Sequence, residues 1–272
     1  MKHFIVAMGL IAGMWNTTVR AQEYEFGSAL SQAVAGVVTL LPSSPAVIPS
    51  HPALMGLGAG NTSVELSYRQ LYGLGDLEDF AAHARHRVHA ISAGLSFTRF
   101  GQSGLYQEYT ITSAIAHSLR NDFAVGAAMQ YASTEFGDGQ SRYAGGYLGL
   151  SAAYRAVPSL LLSGAVRGIT LDRIYERDLT DPEFEAGLAW TSPSEIALGG
   201  TWTRERDGDH RFALGQVLSL SKTVDVLAGL RFDPIRYSLG GRAAYGGMSL
   251  SYAYLGHPEL GATHAFGFCW TR

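Results

Sequence analysis

From Asn61 to the C-terminus the chain is a series of short segments in which apolar and small or polar residues alternate with a period of two. The last, Gly261 to Arg272, is the clearest. His264, Phe266, Phe268 and Trp270 share one face, and Thr263, Ala265, Gly267 and Cys269 share the other. Successive side chains of a strand point to opposite faces, so this pattern predicts a β-strand with one bulky and one small face. A soluble sandwich can end in such a strand, and one segment does not decide. The repetition does. Ser194–Arg204 sets Ile196, Leu198 and Trp202 against Ala197, Gly199, Thr201 and Thr203. Thr223–Phe232 sets Val224, Val226, Leu230 and Phe232 against Asp225, Gly229 and Arg231.

Fourteen segments can be read: 62–71, 76–84, 88–100, 106–118, 122–134, 142–155, 159–174, 183–191, 194–204, 211–220, 223–232, 235–242, 246–255 and 261–272. The connections alternate in length. Arg85–Arg87, Leu119–Asn121, Ala156–Pro158, Ser192-Pro193, Ser221-Lys222 and Ala243–Tyr245 are short. Gly101–Leu105, Glu135–Ser141, Tyr175–Pro182, Glu205–His210 and Gly256–Leu260 are longer and carry most of the acidic loop residues. Short turns on one side and longer loops on the other are the connectivity of a transmembrane antiparallel β-barrel, with apolar residues toward lipid and small or polar ones toward the lumen. The fold class predicted is therefore all-β: a barrel of about fourteen strands occupying 61–272.

Gln22–Gly60 follows a different rule. Phe26–Leu41 is small and apolar, and the next stretch carries Pro45, Pro49 and Pro52, which paired strands do not accommodate. Val47, Ile48, Leu54 and Met55 call for burial, so the segment is expected to pack as a plug or hatch rather than trail as a linker. Met1–Ala21 has the form of a secretory signal peptide, with Lys2 and His3 before the apolar run Phe4–Trp15 and Val19-Arg20-Ala21 at the cleavage position. The run is too short for a membrane helix.

The stretch Ala46–Leu54, with its His51-Pro52-Ala53-Leu54 core placed just before the first strand, resembles the Asn-Pro-Ala segment of PorV/PorQ-type outer-membrane proteins within the FadL-like barrel group. The ending T-H-A-F-G-F resembles the closing strand of that group. His51 stands where Asn is usual, and Leu54 where Gly is common. The resemblance implies a monomeric barrel in the bacterial outer membrane with residues 22–60 plugging its periplasmic half. It also implies a non-enzymatic role in type IX secretion, with secretion-system or secreted cargo proteins as partners. The alternative within the same group is a FadL-like channel for hydrophobic small molecules, with an apolar pocket between hatch and wall and a gap or kink in a strand.

Composition supports a wall between lipid and water. Glycine is high at 33 residues, tyrosine stands at 14, and charged residues are only 16%. Without Lys2 and Arg20 the 20 basic residues fall to 18 against 23 acidic, a net charge of −5, which is no nucleic-acid balance. Cys269 is the single cysteine, which excludes an internal disulfide. Gly56–Gly60 lacks the lysine and the following helix of a phosphate loop and reads as a bend. His83, His86 and His89 read as a solvated rim beside Arg85 and Arg87 rather than a metal site. Asp207-Gly208-Asp209 has turn spacing, not that of a calcium loop. No catalytic arrangement, cofactor site or metal site is expected. Arg69, Arg99, Arg167, Arg231 and Arg242 lie on strands, and those facing inward are expected to pair with acids such as Glu65 and Asp225.

Overall fold

The computed structural model describes residues 27–75, 77–102, 104–137, 142–173, 182–205, 208–232 and 235–272. They form β1 (Thr62–Gln70), β2 (Glu78–Val88), β3 (Ile91–Gln102), β4 (Tyr106–Arg120), β5 (Phe123–Phe136), β6 (Arg142–Val157) and β7 (Leu160–Arg173). The series continues with β8 (Glu183–Thr191), β9 (Ile196–Arg204), β10 (His210–Ser219), β11 (Val224–Phe232), β12 (Arg236–Tyr245), β13 (Met248–His257) and β14 (Gly261–Thr271). Each pairs antiparallel with its sequence neighbours. β14 pairs with β1, Val64 opposite Trp270 and Tyr68 opposite Phe266, which closes the barrel. Closure leaves no strand edge, the condition for a sheet to cross lipid.

The fourteen predicted strands are all present. The main difference is at β2, which continues past Ala84 to Val88, so the turn expected at Arg85–Arg87 lies at His89-Ala90. Arg85 stays in register opposite Gly94 because its guanidinium works inside the barrel, and His89 takes the turn's left-handed conformation at φ 54°. His83 is correspondingly not on a solvated rim. It is buried, with Nδ1 2.9 Å from Ser96 Oγ, while His86 lies on the exposed face against Thr62. The signal-peptide reading of Met1–Ala21, most of the loop 175–182 and Asp207 lie outside the described residues.

The bulky face of the alternation points out. Leu95 is 55% exposed, Met129 60%, Leu250 65% and Phe266 54%, on widely separated strands. An apolar belt around a whole barrel cannot face water and requires lipid. The wall is not uniform in height. β4 to β7 have 14 to 16 residues and β8 to β14 have 9 to 11. The turns at one end hold two to four residues and those at the other three to nine. By the short-turn rule the first end is periplasmic.

The small face points in, onto residues 27–60. This segment holds two short helices, α1 (Ala29–Ala33) and α2 (Leu54–Leu57), joined by 3-10 turns at Val38–Leu40 and Pro45–Val47. Between them these four pieces touch all fourteen strands: α1 meets β1 and β11–β14, Val38–Leu40 meets β7–β10, Pro45–Val47 meets β1 and β2, and α2 meets β3–β6. Such close approach requires wall positions without side chains. A Cβ added at Gly126 would lie 2.5 Å from Ala53 N, one at Gly229 2.5 Å from Ala35 N, and one at Gly240 2.5 Å from Ala33 Cβ. The irregular hatch backbone finds its hydrogen-bond partners on the wall. Ala53 N–H donates to Ser151 Oγ (2.8 Å) and Ala29 N–H to Ser67 Oγ (3.2 Å). Ser118 Oγ donates to Gly56 O (2.7 Å), Ser238 Oγ to Ala33 O (3.0 Å) and Arg85 to Ala59 O (2.5 Å). Small polar residues face inward because they both make room for the hatch and bond its main chain. The hatch is not confined to the periplasmic half: α1 reaches Arg231 and Ser238, near the opposite rim.

Gly126→Val is therefore expected to unseat the hatch while leaving the ladder intact. The protein should remain heat-modifiable on a gel but lose about 1–3 kcal/mol in urea unfolding. Gly241→Ala, whose added Cβ meets only Asp225 O at 3.7 Å, should behave as wild type.

Candidate functional site

Two places in the lumen concentrate charge. The first joins hatch to wall. His51 is wholly buried, and its Nε2 lies 2.8 Å from Glu185 Oε1 on β8. An ionised carboxylate only accepts, so Nε2–H is the donor. Arg167 of β7 donates to Glu185 Oε2 at 2.7 Å and also pairs with Glu183. The hatch is thus latched by a chain His51–Glu185–Arg167–Glu183, each member the partner of the next.

The latch lies where the wall changes. The β6–β7 register shifts at Gly146/Tyr147 and again between Leu148 and Leu150, leaving Arg167 and Gly168 as a bulge in β7, with Gly168 at φ 72°. The pairing of β7 with β8 ends at Arg167↔Glu183. Beyond Arg167, β7 pairs with β6 alone among the described residues, which makes a notch in the rim with the latch at its foot. A bulge of this kind bends a strand and ends pairing.

The second place is a basin of about 570 Å3, solvent included, opening at the longer-loop end. Gln32 and Ala35 of the hatch form its floor. Its walls carry Arg69, Arg231, Arg236 and His257, with Leu71, Tyr72, Leu255 and Thr263 between them. Arg69 donates to Asp79 Oδ2 at 2.6 Å, and Arg231 to Ala35 O at 3.2 Å. Tyr72 has φ 55° and ψ 20°, a left-handed conformation costly for an aromatic residue. It is held by its N–H donating to Thr263 Oγ1 (3.1 Å) and by an edge contact of its ring with His257 at 5.6 Å.

The residues singled out from sequence are thus dispersed. His51, Pro52, Ala53 and Leu54 are all buried against the wall, and only His51 joins a charged cluster. Phe266, Phe268 and Trp270 are exposed on the outer face, with His264 beside them bonded to Tyr252 at 2.8 Å. Of the strand arginines, Arg242 pairs with Asp225 as expected (2.5 Å), but Arg99 lies on the outer face. Glu65 is partnered by Ser44 of the hatch at 2.7 Å, not by an arginine in hydrogen-bond range. Val47, Ile48, Leu54 and Met55 pack into one core with Ala114, Ala116 and Ala124, so the space between them and the wall is filled. Glu185 and Tyr72 were not singled out from sequence. A lone acid among the small inward positions Gly187 and Ala189 was the available signal for Glu185; for Tyr72 the signal is a backbone conformation, which residue type alone does not announce.

No protein-family model matches the chain, and no curated protein sequence matches it. Solved structures do. The Ralstonia pickettii toluene transporter TbuX is similar with a TM-score of 0.66 at 10% identity, over 90% of this chain and 98% of that one. A Pseudomonas aeruginosa FadL homologue gives a TM-score of 0.67 at 11% identity, over 90% and 98%. The Pseudomonas putida toluene transporter TodX gives 0.63 at 11%, over 92% and 98%. At such identities the likeness is one of fold: a FadL-like barrel.

Removing one member of a buried ion pair strands its partner, at about 3–5 kcal/mol. His51→Ala should therefore loosen the hatch, seen as faster protease cleavage within 27–60 and larger conductance in planar bilayers. His51→Asn, which still offers an N–H to Glu185, should keep the hatch seated.

Proposed function

We propose that this chain is a non-enzymatic outer-membrane uptake channel for small hydrophobic molecules, held shut by its N-terminal hatch. The observation that carries this reading is the pairing of a filled lumen with an interrupted wall. A diffusive porin needs a water-filled path along the axis, and here the hatch core occupies it. A hydrophobic solute does not need that path. It gains by passing from a polar rim toward lipid, and the notch between β7 and β8 offers a side exit above the latch. Release of His51 from Glu185 would free the hatch beside that exit. The fold likeness to two toluene transporters and a FadL homologue supports the same reading.

The secretion role, by contrast, finds no support. Connections of three to nine residues give a cargo protein little to hold, and no likeness beyond the general FadL-like barrel points to PorV/PorQ proteins.

The route to the membrane is part of the proposal: a leader ending at Ala21 is removed, and N-terminal sequencing of outer-membrane material should begin at Gln22. The gating is tested by a lock. A Cβ at Gly267 lies 3.3 Å from Ala29 Cβ, close to disulfide spacing. In a Cys269→Ser background, Ala29→Cys with Gly267→Cys should abolish uptake of a fluorescent naphthylamine probe when oxidised and restore it on reduction. Equal uptake in both states, or none above cells lacking the protein, would refute a hatch-gated hydrophobe channel.

A further inference from the structure

We propose that the basin at the longer-loop end is a binding site for a small carboxylic acid with an apolar body the size of one ring. The inference deepens the uptake reading and relies on it only for the direction of travel; the site itself stands on the basin's geometry.

The charge is of one sign. Three arginines and a histidine line the basin, and no aspartate or glutamate is among its lining residues. Two of these arginines are forced together. Arg231 and Arg236 are register partners on β11 and β12, and both line the lumen side. Like charges directly opposite on neighbouring strands repel, and an anion seated between them turns that repulsion into attraction. Arg231 is anchored to the hatch through Ala35 O, so its place is fixed. A guanidinium carries five N–H donors in a planar fork, more than one such contact uses, and the fork matches a carboxylate. Arg69 adds a second, independent sign. It is 6% exposed, its pair with Asp79 runs through one terminal nitrogen, and its buried Nε has no hydrogen-bond partner. A buried donor left in this way is a standing demand for an acceptor.

The rest of the basin specifies the body of the ligand. Leu255 and the ring of Tyr72 supply apolar surface beside the cations. Tyr72 holds a strained left-handed conformation that glycine would adopt freely, and such strain concentrates at ligand sites. The hatch floor limits depth, so a long acyl chain has nowhere to run, whereas a single ring fits between Tyr72 and the arginines. Inorganic phosphate would satisfy the charge but not the apolar wall.

The test is calorimetric titration of the detergent-folded full-length protein with benzoate, benzyl alcohol and inorganic phosphate. Benzoate should bind most tightly, with affinity falling as salt rises. Arg236→Gln should weaken benzoate at least about ten-fold, the loss of one charge-assisted contact. Tyr72→Gly, which keeps the loop conformation, should weaken benzoate and leave phosphate unchanged. Heat-modifiability on a gel confirms that each variant is folded. Benzyl alcohol binding as tightly as benzoate, phosphate binding more tightly, or benzoate indifferent to both substitutions would overturn the proposal. Loss of hydrophobe uptake with benzoate binding intact would remove the channel and leave the site; intact uptake without benzoate binding would do the reverse.

Discussion

Everything in this molecule depends on the fit between an irregular inner segment and a wall stripped of side chains where that segment passes. Residues 27–60 contain only two short helices and cannot satisfy their own backbone. In the middle of a membrane protein an unbonded amide or carbonyl is expensive, so the wall must come close enough to bond them. Glycines at 126, 229 and 240 permit the approach, and serines at 67, 118, 151 and 238 make the bonds. The same positions explain a composition rich in glycine and poor in charge. Outside, lipid asks only for bulk and apolarity, so the two faces of each strand answer to different solvents.

Charges inside the barrel follow from that fit. Where hatch and wall meet without room for water, ions survive as chains of partners, as in His51–Glu185–Arg167–Glu183 and Arg242–Asp225. Where the hatch stops short of the rim, partners thin out and the cations of the basin gather. The tall side of the barrel and its notch lie over the latch, while the basin sits among β1 and β11 to β14. Sealing and capture thus occupy different sectors of one lumen.

The barrel was legible from the sequence because alternation is written at every strand and a slip of one residue would turn each Phe or Leu inward. The strand number followed from turn lengths. The end of β2 did not, because Arg85 and Arg87 look like turn residues until the hatch carbonyls that Arg85 bonds are known. His83 misled for the same reason: a histidine beside arginines suggests solvent, and only the third dimension places Ser96 across from it. The prolines and buried-type residues of 45–55 announced packing but not a partner. His51 and Glu185 stand 134 residues apart, and no local pattern links them. The basin was least legible, since its arginines come from three strands and its aromatic wall from a strained turn.

The contact of one short segment with all fourteen strands also constrains how the molecule comes into being. α1 lies against the strands made last, and Asn61 and Thr62, where hatch becomes wall, donate to the carbonyl of Arg272 at 2.9 and 3.0 Å. The chain's beginning and end therefore meet at one seam. A barrel that zipped shut first would have to thread some thirty residues past that seam afterwards, against a wall already too close for them to pass. The hatch is better viewed as a mandrel: the sheet curls around it, and the last strand can lock only when the first residues are already in place.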